Sequence, residues 1–163
     1  MKTEKNDAEL RTQIEAVLKG AAHMSFDEAV GKFPLSAINT TMPNVSYSFW
    51  HLLEHMRISL QDMLDWMKGD TYTWLKWPDQ YWPEKGKKAT KKEWDASLSG
   101  FRKNLSRMIH LAQNADLYET AKHSEGKHTI LRCLLLKADH NAYHIGEFAI
   151  GRQVMDLWPR GHK

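Results

Sequence analysis

His55, His140 and His144 are the side chains of this sequence whose types and spacing point most directly to chemistry. Neutral imidazole is the commonest protein ligand of zinc and also suits nickel, copper and non-haem iron, and three imidazoles leave such an ion with open coordination positions. An open position is where a substrate or an activated water binds. His140 and His144 stand i, i+4, which places two imidazoles on neighbouring turns of one helix face and within reach of one ion. Nine histidines occur in the chain, and such pairs also arise by chance in a His-rich helix, so spacing alone leaves an ordinary polar role open.

The third ligand lies in the first half of the chain, where His51 and His55 compete. With Met56 at the centre of the apolar stripe and about 100° per residue, His55 falls roughly 100° from that centre and His51 roughly 140°. His55 is therefore the expected ligand, at the edge of the core beside Leu52 and Trp66, and His51 the wetter of the two. Residues His51 to His55 also read HLLEH, the H-x-x-E-H pattern of the inverzincin proteases. That chemistry needs a further downstream ligand and a larger architecture, and Glu54 falls roughly opposite the apolar stripe. Asp62, Asn141 and Glu147 are candidates to accept the second N–H of a ligating imidazole, or else are solvated helix residues. His23, His110, His123, His128 and His162 lie singly and read as surface or core histidines. Cys133, mid-helix among leucines, reads as core packing rather than as a nucleophile.

These residues require helices to position them. Leu10, Ile14, Val17 and Leu18, with Ala21 following, mark a first amphipathic helix over Glu4–Lys19, ended at Gly20. A short turn or helix around Phe26–Val30 leads into a connection containing Pro34, Asn39, Pro43 and Asn44. From Ser46 to Lys68, Phe49, Leu53, Met56, Leu60, Met63 and Met67 alternate in steps of four and three, the seam of a bundled helix. The stretch WLKWPDQYWP, Trp74 to Pro83, is too rich in proline and aromatics for regular structure and is expected as an ordered loop, where Trp74, Trp77 and Trp82 could wall a pocket. Thr90 and Glu93 form a capping box ahead of a third long helix reaching about Asn114. A fourth, about Lys127–Val154, carries Leu131, Leu134, Leu135, Ala138, Ala142, Ile145 and Ala149. No strand pattern competes, so the expectation is an all-α antiparallel four-helix bundle in a single domain over 1–163, a fold that builds metal sites from facing helices.

Composition narrows the function classes. The 163 residues, 42% hydrophobic, suit one core. The net charge of +3 is concentrated in Lys85, Lys87, Lys88, Lys91 and Lys92, a run without interleaved aromatics that reads as solvated rather than as a nucleic-acid surface. One cysteine excludes an intrachain disulfide, and the N-terminus lacks an apolar signal region, so a cytoplasmic protein without membrane spans is expected.

Three segments carry a resemblance: WHLLEHMRI at Trp50–Ile58, KWPDQYWP at Lys76–Pro83 and ADHNAYHIGEF at Ala138–Phe148. Together they are similar to the DinB-like (DinB/YfiT) superfamily of small four-helix metalloproteins. The resemblance implies that His55, His140 and His144 hold a divalent metal, Zn or Ni first and Fe, Mn or Cu as alternatives, with water in the remaining positions. The positions matching His51 and Glu147 often hold glutamine in that family. The resemblance further implies a metal-dependent enzyme, most simply a thiol S-transferase joining a small-molecule thiol to a small electrophile. A metal-dependent hydrolase and a non-catalytic metal-binding protein are the alternatives. It also adds a homodimer paired through helices. The family name reflects damage-inducible expression and implies no nucleic-acid binding.

Overall fold

The computed structural model describes residues 2–20 and 22–161, with side chains from Asp7 onward, so Ala21 and His162 lie outside the described residues. The elements are α1 (Lys2–Lys19), α2 (Phe26–Val30), a 3-10 turn at Leu35–Ala37, α3 (Phe49–Lys68), α4 (Lys91–Asn114) and α5 (Ile130–Val154). Apart from two isolated bridges, the described residues form no β structure. α3, α4 and α5 each start where a side chain can satisfy an orphan backbone N–H. Ser48 caps α3 and Thr129 caps α5, and Thr90 and Glu93 complete the expected capping box on α4. α1 ends at Gly20, whose φ of 86° disfavours any residue with a Cβ.

The chain is all-α, as expected, but its helices are not uniformly antiparallel. On α1, Arg11 donates to the carbonyls of Ala112 and Ala115 on and just after α4, while Phe26 stacks on Phe101 at 4.0 Å, so the chain runs back along α4. α3 and α5 are likewise antiparallel, with His55 against His140 and His144, and Ser59 against Lys137. Between α3 and α4, by contrast, the numbering rises together: Trp50 and Glu54 meet Ser97, and Gln61 meets Arg107. These two helices are parallel.

Parallel neighbours cannot be joined by a tight turn, so residues 69–90 must travel the length of the bundle. That crossover is pinned along its course. Tyr72 and Tyr81 donate to Asp62, His51 and His55 contact the Glu84 and Tyr81 carbonyls, and the Asn39 amide closes two hydrogen bonds with the backbone of Ala89. The lysines of the run Lys85–Lys92 are exposed, as their solvated reading requires.

The core centres on Phe33, Phe49, Trp94 and Phe148, whose rings pack in offset and edge contacts. Each buried aromatic contributes roughly 1.5–3 kcal/mol by removing apolar surface from water. Gly151 lets α5 approach this cluster, because a Cβ there would lie 2.0 Å from Met42 Sδ and 3.1 Å from Phe49 Cε1. Next to it, fully buried Arg152 donates to the carbonyls of Ala29, Gly31 and Leu157 and stacks on Trp158 at 3.8 Å. It ties α2 and the C-terminal segment to α5. Replacing Arg152 by Met strips three carbonyls, that of Ala29 buried and those of Gly31 and Leu157 part-buried, of their donor, and the expected loss of unfolding free energy is roughly 2–4 kcal/mol in urea titrations. A loss below about 1 kcal/mol would show that the guanidinium is a bystander.

Candidate metal centre

α3 supplies His55 from its second turn, and α5 supplies His140 and His144 from adjacent turns of one face. Because α3 and α5 are antiparallel neighbours, the three rings meet, with one ligand atom from each lying within 4.8 Å of the others. Ring centroids are 5.3 Å apart for His55 and His140, 4.9 Å for His55 and His144, and 4.5 Å for His140 and His144. His55 and His144 are buried, and His140 is half-buried.

Hydrogen bonds fix which nitrogen of two rings is free. His55 Nδ1 lies 2.8 Å from the Tyr81 carbonyl, which can only accept, so the proton sits on Nδ1 and the Nε2 lone pair is left available. His144 Nδ1 lies 2.9 Å from Glu147 Oε2, and the same reasoning frees its Nε2. Glu147 also accepts from the Tyr47 hydroxyl. Burial by itself would raise the Glu147 pKa, but the hydrogen bonds from His144 and Tyr47 outweigh it and hold the carboxyl below its ordinary range. Trp82 lies flat on His55, with ring centroids 3.9 Å apart and planes within 4°. His140 Nδ1 is buried without a hydrogen-bond partner among the described residues. A buried polar atom in that state is costly, and coordination is one way to relieve it.

Burial keeps His55 and His140 uncharged at neutral pH. Burial pushes His55 down to about 4 against the opposing pull of the Tyr81 carbonyl. Burial, followed by the charge of Lys137, pushes His140 down to about 3. Uncharged imidazole is the form that binds metal.

Several expectations change on contact with this geometry. His51 is the wetter of the pair, as expected, at 7% exposed against 2% for His55, but it too is buried, with Nδ1 2.6 Å from Ser48 Oγ and Nε2 3.2 Å from the Glu84 carbonyl. Both of its nitrogens are occupied, so hydrogen bonding rather than exposure keeps it out of the cluster. Glu54 is paired with Arg57 and accepts from Ser97 on the α4 side, away from the histidines, so the H-x-x-E-H arrangement does not form. Of the three supporting candidates, Glu147 does orient an imidazole. Asp62 acts one step further out, by accepting from the hydroxyl of Tyr81, whose carbonyl holds His55. The amide of Asn141 makes no hydrogen bond of normal geometry among the described residues, though it lies close enough to His140 to favour the protonated ring. Cys133 is fully buried and burial pushes its thiol up, as core packing implies. Trp82 walls the site, whereas Trp74 and Trp77 face solvent.

Tyr47, Tyr81 and Lys137 do not emerge from the sequence reading. Tyr81 acts through its carbonyl, which no side-chain pattern reveals. Lys137 was open to detection, since it precedes His140 by one turn on the same face.

The depressed histidines make acid a destabiliser of the metal-free protein. Both bind protons more weakly folded than unfolded, so the stability they contribute is complete above 6.5 and is lost as pH falls toward about 4 for His55 and about 3 for His140. The urea midpoint of metal-free protein is expected to drop between pH 7 and pH 5, and to drop less in a His55→Asn/His140→Asn variant. Equal drops would remove these two rings as the cause.

Comparison with curated proteins and with solved structures returned no match. The family model of the DinB superfamily matches residues 20–148, a span that contains His55, His140, His144 and the whole crossover. With its helical fold and its histidine cluster, the chain belongs to the DinB superfamily.

Proposed function

We propose that the chain is a metal-dependent enzyme that transfers a thiol to a small electrophile, with His55, His140 and His144 as the metal ligands. The observation that carries this reading is the convergence of three imidazoles, two with Nδ1 already engaged so that Nε2 faces inward and the third with a buried, unpartnered Nδ1. Such a donor set suits Zn or Ni first and Fe, Mn or Cu next. Bound there, a divalent ion supplies a Lewis acid that lowers the pKa of a thiol or water. Among the described residues three candidate ligands converge rather than four, which favours catalysis over a closed structural site, because a structural zinc site uses four protein ligands.

The chain's own groups arrange the surroundings. Glu147 and the Tyr81 carbonyl fix the tautomers of His144 and His55, and Trp82 stacks on His55, which prevents the ring from turning. The same Trp82, with Tyr47, Pro78, Pro83, His51 and Lys85, lines an apolar-walled cleft of about 470 Å³ beside the centre. That cleft suits a small organic electrophile, with Lys85 at hand for an anionic group. In the proposed reaction the thiol loses its proton to solvent, the sulfur forms a new S–C bond with the electrophilic carbon, and that carbon's bond to the leaving group breaks, the leaving group departing with the electron pair.

Two outcomes test this reading. In protein purified without chelator or metal-affinity tag, His55→Ala and His140→Ala should abolish stoichiometric metal by elemental analysis. His51→Ala should retain it, and Glu147→Gln should weaken affinity roughly tenfold to a hundredfold. Equal loss in the His51 variant would overturn the ligand set. A screen of low-molecular-weight thiols against electrophiles should then show metal-dependent thiol consumption that disappears in His140→Ala. Turnover with water alone would move the assignment to a hydrolase, and a fourth protein ligand found by X-ray absorption would move it to a non-catalytic metal protein.

A further inference from the structure

Lys137 is buried with only 6% of its surface exposed, and its ammonium reaches from α5 to donate to Ser59 Oγ on α3. Lys137 lies one turn before His140, and Ser59 lies one turn after His55. The Lys137–Ser59 bridge therefore runs beside the histidine cluster, displaced by about 5.4 Å along the helices. Of the three N–H donors of the ammonium, Ser59 takes one. Among the described residues no carboxylate stands within ion-pair distance of it. Asp62 attracts it from further off, while itself accepting from two tyrosine hydroxyls.

Packing does not explain this residue. A Met would fill the same space without the cost of burying a charge, which is several kcal/mol for an uncompensated ion. Burial pushes Lys137 down to about 8, which still leaves it mostly protonated at neutral pH. Its charge is felt at both His140 and His55. A divalent ion on the histidines and the Lys137 ammonium together outweigh the two nearby carboxylates, Glu147 and Asp62, by one positive charge. A neutral ligand leaves that excess in a low-dielectric site, and a monoanion cancels it.

We propose that Lys137, held in place by Ser59, is the anion-selecting residue of this centre, so that the ligand the centre takes is a small monoanion, with a thiolate as the functional case. The inference rests on the metal-binding reading above and specifies the charge of the ligand. Lys137 acts in it as a recognition group; the ligand atoms remain those of the histidines.

Cobalt(II)-loaded protein tests it, because the visible absorption of cobalt reports each ligand that enters. Azide, 2-mercaptoethanol and neutral imidazole are titrated into the unmodified protein, Lys137→Met and Lys137→Arg. Lys137→Met is expected to keep its cobalt and its imidazole affinity within about twofold, while azide and 2-mercaptoethanol affinities fall tenfold or more. Lys137→Arg should retain most of the anion affinity. Unchanged anion affinity in Lys137→Met, or a parallel loss of all three ligands, overturns the inference. Lys137→Gln makes the same comparison if the Met variant fails to unfold cooperatively. Failure of the unmodified protein to take up cobalt overturns the metal reading itself, an outcome separate from a loaded protein that does not discriminate by charge.

Discussion

The hydrogen bond between His55 Nδ1 and the Tyr81 carbonyl joins the two halves of the molecule's design. One end is a side chain on a buried helix, and the other is the backbone of a crossover that exists because α3 and α4 are parallel. The bond sets the tautomer of His55, and it also stations Trp82 against the face of that ring. The crossover is thus both a connector and the outer wall of the site. Asp62 extends the arrangement by gripping the Tyr81 hydroxyl from the helix that carries His55.

Much of this was legible in the sequence, for reasons that can be stated residue by residue. The four long helices announce themselves through apolar steps of three and four and through caps at Thr90 and Gly20, because those signals are local. The histidine cluster was legible because an i, i+4 pair needs no tertiary information to face one way. Helix direction was not legible: the choice between a parallel and an antiparallel α3–α4 pair depends on how residues 69–90 pack, and no short-range pattern encodes it. The near-complete burial of His51 was not legible for a related reason. A helix wheel ranks distance from the core of one helix, but the Glu84 carbonyl that buries His51 arrives from the crossover. Glu147 was found because a carboxylate three residues after a histidine meets it within the same helix, whereas the Tyr81 carbonyl comes from elsewhere in the chain.

Several groups at this centre work against stability of the metal-free chain. Two imidazoles are held far below their ordinary pKa, one of them has a nitrogen without a partner, and a lysine is buried beside them. Cores built only for stability avoid such groups, and departures of this kind concentrate where a protein binds or reacts. The aromatic cluster around Phe49 and Phe148 and the buried Arg152 lie toward the opposite ends of α3 and α5 from Ser59 and Lys137, where apolar packing offsets the polar layer.

The places of the three histidines in the chain also govern when the cluster can exist. His55 is separated from His140 and His144 by the crossover, all of α4 and the segment leading into α5. Contacts so distant in sequence form late, since their loop-closure entropy must be met before they contribute anything. A chain interrupted before α5 carries only a single histidine of the three. Assembly of the histidine cluster therefore marks the completion of folding rather than its start, and this chain keeps the three rings apart until the rest of the fold is there to enclose them.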